Sequence, residues 1–207
     1  MIRVVAVVSL LCLLVLVLYL PSAHPADRFL AQLRAEHDDM TAFWGGAPAL
    51  RILSRTLSLQ DSARQATPVP AANDAPPASA VDGAVAQEMA SVNRRLFDNA
   101  YFRSIDALVL LAAFRLSTLL EWLPWLAAFC AAALVDGLGV RLVKSKEFRH
   151  HDPELFAVFA CLGIVTACAA VVAFVVPVSL HPLAIPTVPL LISLLVGKAL
   201  ANFHRRA

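Results

Sequence analysis

The chain has 207 residues, 59% of them hydrophobic and 15% charged. Soluble domains carry roughly 45–50% apolar and 25% charged residues, so an ordinary soluble domain is excluded and a membrane protein is indicated. The net charge of +2 is too small to argue for nucleic acid as a partner, and any meaning of the charges lies in where they sit.

Residues 4–20 form an uncharged run of 17 residues preceded by Arg3. A signal-peptide core is usually about 7–15 residues and is followed by a small-residue cleavage site. Here the run is longer and Pro21-Ser22-Ala23-His24-Pro25 is a poor site, so residues 1–20 read as an uncleaved anchor. Arg3 predicts a cytoplasmic N-terminus.

From 21 to 104 the composition changes: eight arginines and nine acidic residues, with no window apolar enough to span. This is the expected periplasmic segment. Phe29, Leu33, His37, Met40 and Trp44 are spaced as on a helix, and after Gly45-Gly46 and Pro48 so are Leu50, Leu53 and Leu57. These stripes are expected to pack on each other or on the membrane surface. Residues 66–84, with Pro68, Pro70, Pro76 and Pro77, read as a Pro/Ala-rich linker. Val85, Met89, Val92 and Leu96 then restart a helical stripe. So few apolar residues predict amphipathic peripheral helices rather than an enzyme domain.

Residues 105–142 are the ambiguous part. A continuous helix here would be about 57 Å long, against a hydrocarbon core of roughly 30 Å. The next loop carries Arg141, Lys144, Lys146 and Arg149, and short loops rich in Lys and Arg stay cytoplasmic. From a cytoplasmic N-terminus one crossing satisfies this and two do not. The crossing is placed at 122–142, with Trp122 and Trp125 in the outer aromatic belt and 105–121 as an interfacial helix. That keeps Arg115 and Glu121 out of the bilayer centre. The competing span, 107–125, would place Arg115 near mid-membrane at a cost of about 2.5–3.5 kcal/mol.

Residues 155–176 are an uncharged span of 22 residues, with Asp152 as expected N-cap and Pro153 as first helical residue. A turn without Lys or Arg leads to a last span, 183–201, where Lys198 can snorkel. The tail, with Arg205 and Arg206, is basic and so expected in the cytoplasm. The membrane domain is thus 105–207. The fold class is all-α: a multi-pass protein of about four transmembrane helices plus amphipathic periplasmic or interfacial helices, with both termini expected inside.

No phosphate loop, nucleophile elbow or His-Glu-x-x-His is present, so no catalytic or cofactor-binding residue is assigned. His150-His151-Asp152 with Glu154 holds ligand-type residues, but neighbours on a helix point about 100° apart and no partner His or Cys stands at ligand spacing. No metal site is assigned. The loop residues Arg141, Lys144, Lys146, Arg149, His150 and His151 instead suit anionic lipid headgroups or a partner protein. Arg115, Glu121 and Asp136 are the candidate intramembrane polar groups; an ion path through them is the alternative reading, though no internal repeat supports a transporter. Ala127 with Ala131, Ala128 with Ala132, and Gly163 with Ala167 are small pairs at four-residue spacing, suited to helix packing within the bundle or in a homo-oligomer. The four cysteines, Cys12, Cys130, Cys161 and Cys168, lie in apolar segments and read as packing residues.

The middle of the chain carries Tyr101-Phe102-Arg103-Ser104-Ile105-Asp106, Arg115-Leu116-Ser117, Glu121-Trp122-Leu123-Pro124, Val135-Asp136-Gly137-Leu138 and Phe148-Arg149-His150-His151-Asp152-Pro153-Glu154. On these residues it resembles a family of small inner-membrane proteins encoded by integrating conjugative elements and related plasmids, a family of unknown biochemical function. The resemblance implies a place among conjugation genes, often near that of the coupling ATPase that delivers DNA to the type IV secretion channel. It supplies no reaction. The expected role is a non-enzymatic membrane subunit or assembly factor with lipid and other conjugation proteins as partners. Exclusion or regulation at the recipient membrane is a further alternative.

Overall fold

The computed structural model describes residues 2–66, 99–146 and 152–203. Among these the protein is all-α, with six helices: α1 (Ile2–Ala23), α2 (Ala26–Trp44), α3 (Gly46–Ala66), α4 (Ala100–Lys146), α5 (Pro153–Val175) and α6 (Ala184–Asn202). Helices α1, α4, α5 and α6 are long and apolar enough to cross a membrane, as expected for a multi-pass protein. Most of the expected linker, the stripe Val85–Met89–Val92–Leu96, the loop residues Arg149, His150 and His151, and the basic tail lie outside the described residues.

The hydrophobic block from 105 onward is part of one unbroken helix. At 47 residues, α4 is about 70 Å long. It runs through Pro124, which lacks the N–H that would bond back to residue 120. Its C-terminal half packs along α6, and its N-terminal half carries α2 and α3.

The α4–α6 contact is close because both helices present glycine. A Cβ on Gly137 would sit closer than 3.0 Å to the backbone of Gly197, and one on Gly197 would lie 2.6 Å from the Ala133 carbonyl oxygen. Cys130, one turn earlier on the same face, places Sγ 3.7 Å from the Pro189 carbonyl. This small-residue seam lets the two backbones touch.

Helix α2 ends at Gly45, whose φ of +88° is a conformation glycine adopts without a Cβ clash. The chain then reverses into α3, and the two helices form a hairpin laid against α4. Glu36 meets Arg115, Met40 meets Thr118 and Trp44 meets Trp122, so α2 runs parallel to α4 and in step with it. Thr56 bonds Ser117 and Arg51 bonds Glu121, so α3 runs back antiparallel. Two apolar clusters join hairpin to bundle: Leu20, Phe29, Ala107, Leu108, Leu111 and Val175, and Met40, Ile52, Phe114 and Ile185.

Asp152 occupies the N-cap position of α5 and Pro153 begins the helix, as expected, but the Asp152 carboxylate makes no capping hydrogen bond.

Candidate functional site

Helix α2 buries Phe29, Glu36 and Met40, seven and four residues apart, which is one helical stripe. A glutamate in that stripe needs a partner, because an isolated carboxylate is too costly to bury. The facing stripe of α4 supplies Arg115, and both side chains are within 1% of complete burial. Arg115 Nε donates to Glu36 Oε2 at 3.0 Å, and Nη2 donates to Oε1. Gln32, one turn earlier, donates to the same carboxylate at 3.0 Å.

The remaining guanidinium protons turn to the end of α5. Nη1 donates to the carbonyls of Ala173 at 2.6 Å and Val176 at 2.7 Å, and Nη2 to that of Val178 at 2.8 Å. These carbonyls lie at or just past the C-terminus of α5, where the last turn has unpaired acceptors and partial negative charge. Arg115 therefore caps one helix, pairs with a second and belongs to a third.

A second polar layer lies one to two turns further along α4. Glu121 accepts from Arg51 at 2.8 Å and pairs with Arg55 at 3.1 Å. Glu121 lies on the stretch of α4 that precedes the expected span. The hydrogen bond from Arg51, with the charges of both arginines, holds its carboxyl below the usual carboxylate range. Between the layers Thr56 Oγ1 donates to the Ile52 carbonyl at 2.8 Å and lies 3.1 Å from Ser117 Oγ, whose hydroxyl can donate to it. Trp44 and Trp122 close the tip of the hairpin with ring centroids 4.1 Å apart. Their indole N–H groups, and Nδ1 of His37, are buried without a hydrogen-bond partner among the described residues.

At the opposite end of α4, Lys144 donates to Asn202 Oδ1 at 2.7 Å, and the Arg141 guanidinium sits 4.9 Å from the centre of the Phe203 ring. Phe156 of α5 packs on the same ring at 5.3 Å. Lys146 is exposed. Two of the loop cations thus tie α4 to the end of α6 while keeping part of their surface open.

Asp136 is exposed on α4 and makes no hydrogen bond or ion pair among the described residues; Arg115 and Glu121 do not reach it, since each is engaged with the hairpin. Ala127, Ala128, Ala131 and Ala132 are exposed as well, as is Ala167, and a Cβ at Gly163 would meet nothing within 4 Å. Within the chain, close packing runs through Cys130, Ala133 and Gly137 instead, leaving the expected small pairs facing outward.

Sequence reasoning missed Glu36, Gln32, Arg51 and Arg55 as partners of the α4 charges, and Gly137 with Gly197 as the packing seam. The one local signal for the buried pair is that Arg115 falls in the apolar stripe Leu108–Leu111–Arg115–Thr118, all of it buried.

No curated protein and no solved structure matches the chain. One family does: IncC plasmid conjugative DNA transfer protein DtrJ-like, over residues 52–204. That match runs from α3 to the end of α6 and includes Arg115, Glu121, the glycine seam and the Lys144 cluster. The expectation of a conjugation-associated membrane protein thereby gains independent support, and the chain belongs to the DtrJ-like family of conjugative DNA transfer proteins.

Proposed function

We propose that this protein is a non-enzymatic membrane subunit or assembly factor of a conjugative DNA-transfer apparatus, working by protein contacts. The observation that carries the reading is the family match over residues 52–204. The geometry supports a scaffold: buried polar groups are spent on holding helices together, with Arg115 joining α2 and α4 to α5 and Lys144 joining α4 to α6.

In this reading the end of α4 bearing Arg141, Lys144 and Lys146 faces the cytoplasm, by the positive-inside rule. Lys146 and the open side of Lys144 are the contact points for anionic lipid or for a motor such as the coupling ATPase. The α2–α3 hairpin lies on the other side of the inner membrane, beside components of the type IV secretion channel.

Deletion in a donor cell tests the reading. The expected result is loss of transfer out of that cell, restored by the gene in trans, together with co-purification of conjugation proteins in mild detergent. Normal transfer with no conjugation protein recovered overturns it. Altered transfer into recipients alone assigns the protein to exclusion instead.

A further inference from the structure

The tip of the α2–α3 hairpin lies beside the start of the apolar stretch of α4. Because α2 runs in step with α4, Trp44 comes to rest beside Trp122, where α4 begins a run without a charged residue that lasts until Asp136. The turn between α5 and α6 marks the end of the neighbouring spans. It reaches α4 earlier, with the Val178 carbonyl on Arg115 and Ile185 in the cluster of Phe114. The same turn also reaches the hairpin tip, where the Phe43 ring lies 5.4 Å from that of His181, so the tip sits level with the end of the neighbouring spans, alongside the apolar part of α4.

The composition of the tip fits that depth. Between Asp39 and Arg51 no residue is charged. The helices bury Met40, Ala49 and Ile52 against α4, yet Phe43 remains 49% and Leu50 62% exposed. One and two turns further along α4, Trp125 is 76% and Phe129 69% exposed, so the tip continues an apolar surface that belongs to a candidate span. Arg51, immediately beyond Leu50, keeps most of its side chain open while paired with Glu121. An arginine above an apolar edge is placed to meet lipid phosphates.

We propose that the tip of the hairpin, residues 43–50, is immersed in the bilayer at the boundary between headgroups and acyl chains, with Arg51 at the phosphate level. The hairpin then grips α4 inside the membrane rather than standing wholly in water. The occupant of the exposed Phe43–Leu50 surface is lipid, because that surface is continuous with the outward face of α4 and carries no charge for a polar partner to read.

The test uses the full chain with its four cysteines replaced by alanine, in nanodiscs of phosphatidylethanolamine and phosphatidylglycerol. Single cysteines are introduced as Phe43→Cys, Leu50→Cys and, higher on α3, Ser58→Cys, and labelled with nitrobenzoxadiazole. The expected result is blue-shifted emission at the first two sites, quenched by lipids carrying a doxyl group near the headgroup and shielded from iodide. Ser58→Cys should show the opposite pattern. Equal quenching of all three by iodide, with no effect of doxyl lipid, overturns the proposal. Shielding of the tip from both quenchers overturns it too, since protein rather than lipid would then cover the surface.

Discussion

Arg115 and Glu36, 79 residues apart in sequence, close on each other so completely that every N–H of the guanidinium has an acceptor. Two kinds of acceptor share the work: the Glu36 carboxylate, and the backbone carbonyls of Ala173, Val176 and Val178. Such a group is expensive to leave half-made. Removing one member of a buried pair costs about 3–5 kcal/mol, because the other charge stays buried alone. Arg115→Ala and Glu36→Ala should each lower the thermal midpoint in detergent sharply and reduce the yield of monodisperse protein. Arg115→Lys should rescue poorly, since an ammonium offers three donors from one point and cannot span a carboxylate and three carbonyls. A wild-type midpoint for Arg115→Lys would show that charge alone suffices.

The glycine seam makes a contrast between positions that look alike in sequence. A helical Gly→Ala change is worth up to about 1 kcal/mol of stabilisation where there is room. At Gly163 and Gly139 an added Cβ meets nothing within 4 Å, whereas at Gly137 and Gly197 it meets backbone of the facing helix. Gly163→Ala and Gly139→Ala should therefore leave the thermal midpoint unchanged or raise it. Gly137→Ala and Gly197→Ala should lower it and push α4 from α6, read as faster reaction of Cys130 with a small maleimide.

The three short spans were legible because an apolar run of some twenty residues, uncharged or with a single lysine near its end, has few other destinations. Charge parity predicted a single crossing between 105 and 142, and α4 supplies one candidate span there, but its continuity through Pro124 was not legible: a proline at that point suggests a break, and only the neighbours on either side decide that the helix goes on. The periodicity in α2 picked Phe29, Leu33, His37, Met40 and Trp44, all of which pack toward α4 or the bundle, but it passed over Glu36, buried beside them. One residue is about 100° of helix, so a stripe read slightly off axis hides the charge that matters. In α3 the expected face Leu50–Leu53–Leu57 is the outward one, and Ala49, Ile52 and Thr56 do the packing. Nothing local tells which of two apolar faces meets protein and which stays open.

Glu121 gives the hairpin a pH dependence. Its carboxyl is held below the usual range by Arg51 and Arg55, so the ionised form is favoured in the folded protein. A lowered carboxyl pKa contributes stability that is present above the ordinary value and is lost as pH falls through the lowered one. Arg51 is largely open to solvent, which limits the effect to within about 1 kcal/mol. Glu121→Gln should be slightly less stable than the native protein at neutral pH, with the gap closing below about pH 4. A gap that persists unchanged in acid would assign the loss to packing rather than to the charge.

Asp136 separates a scaffold from a conducting protein. A carboxylate facing lipid near a bilayer centre costs about 2.5–3.5 kcal/mol, and Asp136 has no partner among the described residues to offset it. It stands little more than one turn before Arg141, on the side of α4 that ends in cations, so it can draw toward that membrane surface. Asparagine keeps the size and removes the charge. If the protein acts by contacts, Asp136→Asn should assemble at least as well as the native chain, transfer DNA at the native frequency and recover the same partners from the membrane. If it moves ions through Asp136, the variant should still fold and bind its partners while transfer fails. That combination, intact pull-down with lost transfer, would remove the contact-only reading and leave the rest of the architecture standing.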